Sequence, residues 1–263
     1  MAESAVATQT EQWTPERLSE HFASALERTE LRRDPSPHLF IENVLPDEFY
    51  DSMVEHLPLK SDVYKGWAIG KAAGKTHYQQ RKQIYIHNRA MLEKFDLGTP
   101  EVREFWLNFQ TWFMSKELQD LMLSPFEPEL KERFDGQILP SNGEVVTNGM
   151  INFHEAGYFI GPHPDTVDRI VTAIFYLAED GAPEDMGTHF YRPIDPSYAS
   201  VKHGEFSDFN RVSTAPYRRN SAVLFLRTRN SYHGVEPITE EMSAKSKRYV
   251  LQYMLVHKYD KEK

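Results

Sequence analysis

Apolar residues recur at helical spacing in the first half of the chain. A first helix is predicted from Pro15 to about residue 29, with Thr14 as its N-cap, because proline is favoured at the first helical position. A short helix is predicted after Pro46, and the segment from 89 to about 134 predicts a helical layer that buries one face against a sheet. The apolar positions of that layer are Trp106, Phe109, Trp112, Phe113, Leu118, Leu121 and Met122.

Short β-rich segments dominate the second half of the chain. Strands are predicted over 145–154, 170–177, 188–192, 221–227 and 249–256, with Gly, Pro and Asn between them. Two earlier strands are predicted, one over 38–45 and one over 82–87, where apolar and polar residues alternate. Helices followed by strands are typical of an α+β domain, in which the helices support one face of a β-sandwich or barrel.

The domain organisation is predicted from the same patterns. Residues 1–12 are small and polar, and we expect a disordered tail there. Residues 13–263 are predicted to form a single domain. Within it, 13–140 is mainly helical support with a lid loop, and 143–257 is the β core. The lid is placed at the polar and aromatic stretch 60–87, since long loops inside compact domains are often lids or binding loops.

Composition narrows the function classes. The formal net charge of −9 argues against a general nucleic-acid binder, because phosphate contacts need clustered Lys and Arg. The absence of cysteine excludes disulfides, thiolate-bound zinc, iron–sulfur clusters and cysteine nucleophiles. No secretory signal and no membrane helix of roughly twenty apolar residues is predicted. We therefore expect a cytoplasmic protein that does not bind membranes.

A candidate metal site lies in the stretch Gly157-Tyr-Phe-Ile-Gly-Pro-His-Pro-Asp165. His163 and Asp165 are two residues apart, so both side chains point to the same side of an extended segment. His233 follows the apolar strand 222–226, which would deliver it rigidly. Two histidines and one carboxylate form the ligand set of non-haem Fe(II) oxygenases. Zn or Mn in an isomerase or epimerase would use the same ligands, and a non-catalytic cupin-like barrel that binds metal or sugar is a further alternative.

Five ordered segments around these residues carry a resemblance. They are 152–157 with 163–165, 172–177, 186–191, 221–226 with 232–237, and 247–254. Together they resemble the Fe(II)- and 2-oxoglutarate-dependent dioxygenases of the prolyl-4-hydroxylase-like branch. The resemblance implies an α+β fold with a double-stranded β-helix (jelly-roll or cupin-like) core and N-terminal supporting helices.

The resemblance also implies roles for individual residues. His163, Asp165 and His233 would bind Fe(II). Arg248 would bind the distal carboxylate of 2-oxoglutarate, a role that suits the bidentate guanidinium fork. Tyr176 resembles a tyrosine that hydrogen-bonds the same distal carboxylate in some relatives. O2 would be the other co-substrate, and ascorbate would serve as reductant.

The chain departs from the family pattern at two positions. Val250 stands where some relatives have Ser, and Phe153 stands where others have a Tyr that binds the co-substrate. The co-substrate pocket must be completed in another way, and Asn152 or Tyr158 is the candidate. The carboxylate of Asp165 argues against halogenation, because related halogenases lack it.

The implied reaction is hydroxylation of an unactivated C–H bond with release of succinate and CO2, with desaturation or ring formation as alternative outcomes of the same chemistry. A small metabolite or amino-acid-like substrate is favoured, and a protein or peptide hydroxylase is the alternative. The basic and aromatic span 195–220 indicates recognition of an anionic small molecule, or else is only a solvated loop. His189 is predicted either to orient a substrate or to be packed. Candidate lid residues are Tyr64, Trp67, His77, Tyr78 and Arg81.

Overall fold

The computed structural model describes residues 13–58, 80–93, 97–199 and 202–258. The predicted tail 1–12 lies outside this part of the chain, and so do most of the predicted lid and its candidates Tyr64, Trp67, His77 and Tyr78.

Helices occupy most of the first half of the described chain. They are α1 (Pro15–Glu27), α2 (Asp47–Glu55), α3 (Arg89–Leu92), α4 (Pro100–Phe113), α5 (Lys116–Leu123) and α6 (Glu127–Arg133), with the late helix α7 at Glu240–Lys245. Helix α1 begins after Thr14, whose hydroxyl accepts from the backbone N–H of Arg17 as an N-cap. The predicted start of this helix is therefore confirmed.

The strands form two antiparallel sheets. They are β1 (His38–Glu42), β2 (Arg81–Tyr85), β3 (Glu144–His154), β4 (Ile160–His163), β5 (Arg169–Tyr176), β6 (Thr188–Pro193), β7 (Phe209–Ala215), β8 (Ser221–Leu226), β9 (His233–Val235) and β10 (Arg248–Lys258). The six-stranded sheet has the order β1-β8-β5-β10-β3-β2, and the four-stranded sheet has the order β4-β9-β6-β7. This is the predicted double-stranded β-helix with N-terminal supporting helices.

The large sheet has a different neighbour on each face. On its outer face, aromatic residues of the helices contact aromatic residues of the strands, with ring centroids of Phe22 and Phe175 6.0 Å apart and those of Phe113 and Tyr253 5.2 Å apart. One buried apolar cluster joins the helices to this face. A second cluster, which includes Phe190, lies between the two sheets. These shared clusters favour one domain from residue 13 onwards, and the single-domain organisation stays a prediction.

The inner face of the large sheet is arranged in rungs across β2, β3 and β10. His154 pairs with both Arg81 and Arg248, and Asn152 pairs with Gln83 and Val250. Alternate residues of a strand point to the same face. The rungs therefore collect polar side chains on one wall of the molecule.

Sequence patterns missed part of the small sheet. The span 195–220 was expected to be a cover or loop, whereas residues 209–215 form the strand β7 at the edge of that sheet. Its side chains alternate only weakly between apolar and polar, because an edge strand buries little of either face.

Within the described residues, no helix is long and apolar enough to cross a membrane.

Candidate functional site

Strand pairing brings the two predicted metal-binding histidines together. His163 at the end of β4 is the register partner of His233 at the start of β9, and their ring centroids are 4.5 Å apart. Asp165 follows two residues after His163. One ligand atom from each of the three side chains lies within 4.8 Å of the others. The predicted triad is thus assembled in space.

Both histidine rings are oriented by backbone carbonyls. The Nδ1 of His163 lies 2.9 Å from the carbonyl oxygen of Gly161, and the Nδ1 of His233 lies 2.9 Å from that of Ser231. A carbonyl oxygen only accepts, so each Nδ1 must carry the hydrogen. The tautomer therefore leaves Nε2 of both rings with a lone pair for a metal ion.

Asp165 is held at both its side chain and its backbone. The hydroxyl of Thr172 donates to Oδ2 at 2.7 Å, and Nε of Arg227 donates to the backbone oxygen at 3.1 Å. Burial acts to raise the pKa of Asp165, but the charge of Arg169, the proximity of His233 and His163, and the Thr172 hydrogen bond outweigh it and lower the pKa to about 2. The carboxylate is therefore ionised near neutral pH.

His163 is neutral near neutral pH. Burial is the main cause that lowers its pKa to about 3, and the neighbouring His233 acts in the same direction. Metal ligation needs neutral imidazole and ionised carboxylate, and these are the forms of His163 and Asp165 near neutral pH. Two imidazole nitrogens and a carboxylate oxygen on one side also match the donor set that suits Fe(II) with open positions. The residues fit this ion.

A cavity of about 580 Å³ connects the triad to the inner face of the large sheet. Its lining includes His163, Asp165 and His233 at one side and Arg248 on strand β10. Ile174 and Val250 supply apolar wall between them.

Arg248 is a buried cation with neutral partners. It is only 2% exposed, and it donates through Nε to the backbone oxygen of Met186 at 2.5 Å and through Nη1 to Nδ1 of His154 at 2.6 Å. Within the described chain, no carboxylate forms an ion pair with it. Burial lowers the pKa of Arg248, but a guanidinium stays charged in proteins. A buried charge without a counter-ion is costly, so the geometry favours an anion in this cavity.

His154 was missed by sequence reasoning. Its ring stacks on Tyr158 with centroids 3.8 Å apart, and its Nδ1 accepts the hydrogen of Arg248. Burial first and the charge of Arg248 second lower the pKa of His154 well below the usual value, so the ring stays neutral and able to accept. The available signal was strand alternation, since His154 continues the inward-facing positions of β3 after Met150 and Asn152.

The two other predicted co-substrate residues have different placements. Asn152 lines the cavity, where its Oδ1 accepts from Nε of Arg81 at 3.1 Å and from Nε2 of Gln83 at 2.7 Å. Tyr176 is buried outside the cavity lining. Its hydroxyl donates to the backbone oxygen of Ala215 and accepts from the backbone N–H of Thr188. The hydroxyl proton is already used, which argues against the predicted role of Tyr176 with 2-oxoglutarate.

The basic residues of the span 195–220 mostly point away from the site. Arg218 pairs with Glu184 and Glu42, Arg219 pairs with Asp47 and Asp51, and Arg211 pairs with Glu236. These three arginines form ion pairs at the surface, so they do not supply the anion recognition that the composition of the span indicated.

Two histidines near the site differ in role. His203 lines the cavity and stacks on His163 with centroids 4.3 Å apart. Gly161 lets the backbone at Gly204, next to His203, approach closely, since a Cβ at position 161 would lie 2.4 Å from the backbone oxygen of Gly204. His189 is fully buried and bonded to Thr214 and the backbone of Asp185, so the packed interpretation of His189 is the one its contacts favour.

Comparisons with known proteins agree with this geometry. The model of the 2OG-Fe(II) oxygenase superfamily matches residues 149–255. A prolyl hydroxylase from Trichoplax adhaerens, solved with a hypoxia inducible factor peptide fragment, is 16% identical over 92% of this chain and 90% of its own, with a TM-score of 0.53. A prolyl-4-hydroxylase from Pseudomonas putida is 15% identical over 91% of this chain and 100% of its own, with a TM-score of 0.50. No curated protein sequence matches the chain. At these identities the solved structures show the shared fold alone.

Thr172→Val should weaken metal binding without unfolding the protein. Removing the hydroxyl frees Asp165 from its orienting hydrogen bond, and loss of such a partner costs about 10–100-fold in metal affinity. Calorimetric titration with Mn(II) measures the change, with Thr147→Val as a threonine control far from the triad. An unchanged affinity in Thr172→Val would contradict the role of the Thr172 hydroxyl in orienting Asp165 for metal binding.

Proposed function

We propose that this protein is a 2OG-Fe(II) oxygenase that hydroxylates an unactivated C–H bond of a small metabolite or amino-acid-like substrate, since the model of that superfamily matches residues 149–255. Enzymes of this superfamily use Fe(II) as cofactor and 2-oxoglutarate and O2 as co-substrates. In the proposal, His163, Asp165 and His233 bind the Fe(II), and Arg248 binds the distal carboxylate of 2-oxoglutarate. A cytoplasmic location and the use of ascorbate stay predictions.

The observation that carries the proposal is the buried guanidinium of Arg248 in the same cavity as the triad. A metal-dependent isomerase or a cupin-like binding module needs the three ligands but has no use for an unpaired buried cation beside them. A 2-oxo dicarboxylate needs both features, since one end chelates the metal and the other is an anion. The charge distribution therefore favours 2-oxoglutarate over these alternatives.

The protein's own groups bind and orient in this reaction. The triad holds one face of the ion and leaves other positions open. Met186 and His154 fix the guanidinium of Arg248, so that its remaining N–H groups have one direction. A bound Fe(II) would activate O2, the oxidant, for the coupled hydroxylation of the substrate and conversion of 2-oxoglutarate to succinate and CO2. The apolar side chains of Ile174 and Val250 keep water from the space between the two ends of the co-substrate.

A peptide substrate is the alternative, as in the Trichoplax adhaerens structure that holds a peptide. We favour a small molecule because polar side chains line the wall of the cavity at β2, β3 and β10, where Arg81, Gln83 and Gln252 form a bonded network with Asn152. A network of this kind hydrogen-bonds a polar ligand from several sides.

Succinate release tests the proposal. Wild-type protein with Fe(II), ascorbate and 2-oxoglutarate should form succinate even without substrate, and Asp165→Ala should abolish this turnover. Arg248→Ala should raise the KM for 2-oxoglutarate by about 100-fold or more, because a charge-assisted bidentate contact is lost and each tenfold is about 1.4 kcal/mol. Arg218→Ala removes an exposed arginine and should change nothing. If the wild type neither releases succinate nor binds 2-oxoglutarate, the proposal fails.

His154→Phe should weaken 2-oxoglutarate binding by about tenfold, since it keeps the ring against Tyr158 and removes the acceptor that orients Arg248. His154→Asn places an acceptor near the former Nδ1 and should stay within about threefold of the wild type. Calorimetry on the Mn(II)-loaded protein compares 2-oxoglutarate with 2-oxobutanoate, which lacks the distal carboxylate. Only 2-oxoglutarate should lose affinity, and an equal loss for both acids would contradict the assigned role of His154.

A further inference from the structure

A second arginine lines the cavity beside the triad. Arg169 begins strand β5, four residues after Asp165, and its charge is the leading influence that lowers the pKa of that carboxylate. Its Nε and Nη1 are buried and have no hydrogen-bond partner. No carboxylate in the described chain lies within ion-pair distance of it. A guanidinium with buried, unpartnered donors indicates a missing acceptor.

Charge balance among the described residues and the co-substrates favours an anionic ligand at Arg169. In the proposed reaction complex, the charges of Fe(II) and the 2-oxoglutarate dianion cancel, and the charge of Asp165 cancels that of Arg248. Two positive charges then remain at the cavity: Arg81, which donates to Asn152 and Gln252, and Arg169, whose buried Nε and Nη1 have no hydrogen-bond partner. A half-buried cation of this kind is stabilised by one anionic group.

An apolar surface adjoins Arg169. The register partner of Arg169 on β10 is Val256, which forms a small buried cluster with Met150 and Met254. Met150 and Met254 also line the cavity. Methionine side chains adapt to ligands of different shapes and contact aromatic or aliphatic groups favourably. The cavity therefore offers Arg169 and the two methionines side by side, towards the end of β10 opposite to Arg248; the Sδ of Met150 also accepts a hydrogen bond from Nε2 of Gln83 at 2.9 Å.

We propose that the primary substrate is a small carboxylic acid with an aliphatic or aromatic body, held by its carboxylate at Arg169 and by its body against Met150 and Met254. This inference rests on the proposed oxygenase function and adds the substrate class to it. The oxidised C–H bond would belong to the body, and the reaction is the one already given: one oxygen atom of O2 is inserted into that C–H bond, and the other enters succinate as 2-oxoglutarate loses CO2.

Matched acids and amides test this assignment. The Mn(II)- and 2-oxoglutarate-loaded protein is titrated with 3-phenylpropanoate and 3-phenylpropanamide, and with hexanoate and hexanamide. The acids should bind at least tenfold more tightly than the amides, because a charge-assisted contact is absent from the amides. Arg169→Gln should remove this preference, and Arg169→Lys should keep part of it. Arg211→Gln removes the same charge from a surface ion pair and should behave as wild type.

Separate readouts distinguish the failures. Affinity for 2-oxoglutarate should stay within about twofold in Arg169→Gln, and thermal melting should show a folded variant. If wild type does not bind 2-oxoglutarate, the oxygenase proposal fails. If it binds 2-oxoglutarate but binds amides as well as acids, or binds neither, the substrate assignment is overturned. If Arg169→Gln weakens Mn(II) binding and keeps the preference for acids, Arg169 serves only Asp165 and the assignment is again overturned.

Discussion

The pairing of strands β4 and β9 is the constraint on which the site depends. It places His163 directly opposite His233, and a shift of one residue would turn one ring to the other face of the sheet. Backbone carbonyls two residues before each histidine then fix both tautomers. The close approach of the strands is possible because Gly234 has no Cβ. A Cβ at this position would collide with the backbone oxygen of Ile160. Metal geometry is thus set by the backbone.

Placement of cations divides the cavity into functional regions. In a chain with a net charge of −9, two of the arginines that line the cavity, Arg248 and Arg169, have no carboxylate partner among the described residues, while the exposed Arg218 and the half-buried Arg219 are neutralised by acidic neighbours. Exposed pairs of that kind contribute little to stability. The two interior arginines lie where a counter-ion must come from a ligand. We infer that Arg248 binds the co-substrate and Arg169 the substrate, with the triad accessible to both.

Much of this site was accessible from the sequence, and the remainder depended on contacts between distant segments. Helix starts, most core strands and the triad were predicted because periodicity, caps and short motifs are local signals. The roles of Tyr176 and His154 depend on hydrogen bonds that the sequence does not reveal. Tyr176 has the right position along its strand, but its hydroxyl donates a hydrogen bond to the backbone oxygen of Ala215. His154 gains its role only through Arg248, 94 residues away. The basic composition of the span 195–220 also indicated an anion site in the wrong place. The sequence does not show that Arg218 forms ion pairs with the distant Glu42 and Glu184.

The central claim is that one cavity binds Fe(II) and 2-oxoglutarate together, and visible absorption under anaerobic conditions tests it most directly. Chelation of Fe(II) by a 2-oxo acid produces a charge-transfer band that neither component shows alone. The account predicts this band on adding 2-oxoglutarate to the Fe(II)-loaded wild type, its loss in His233→Ala, and its appearance only at higher 2-oxoglutarate concentration in Arg248→Ala. A wild-type protein that binds Fe(II) yet shows no band at saturating 2-oxoglutarate would contradict the account.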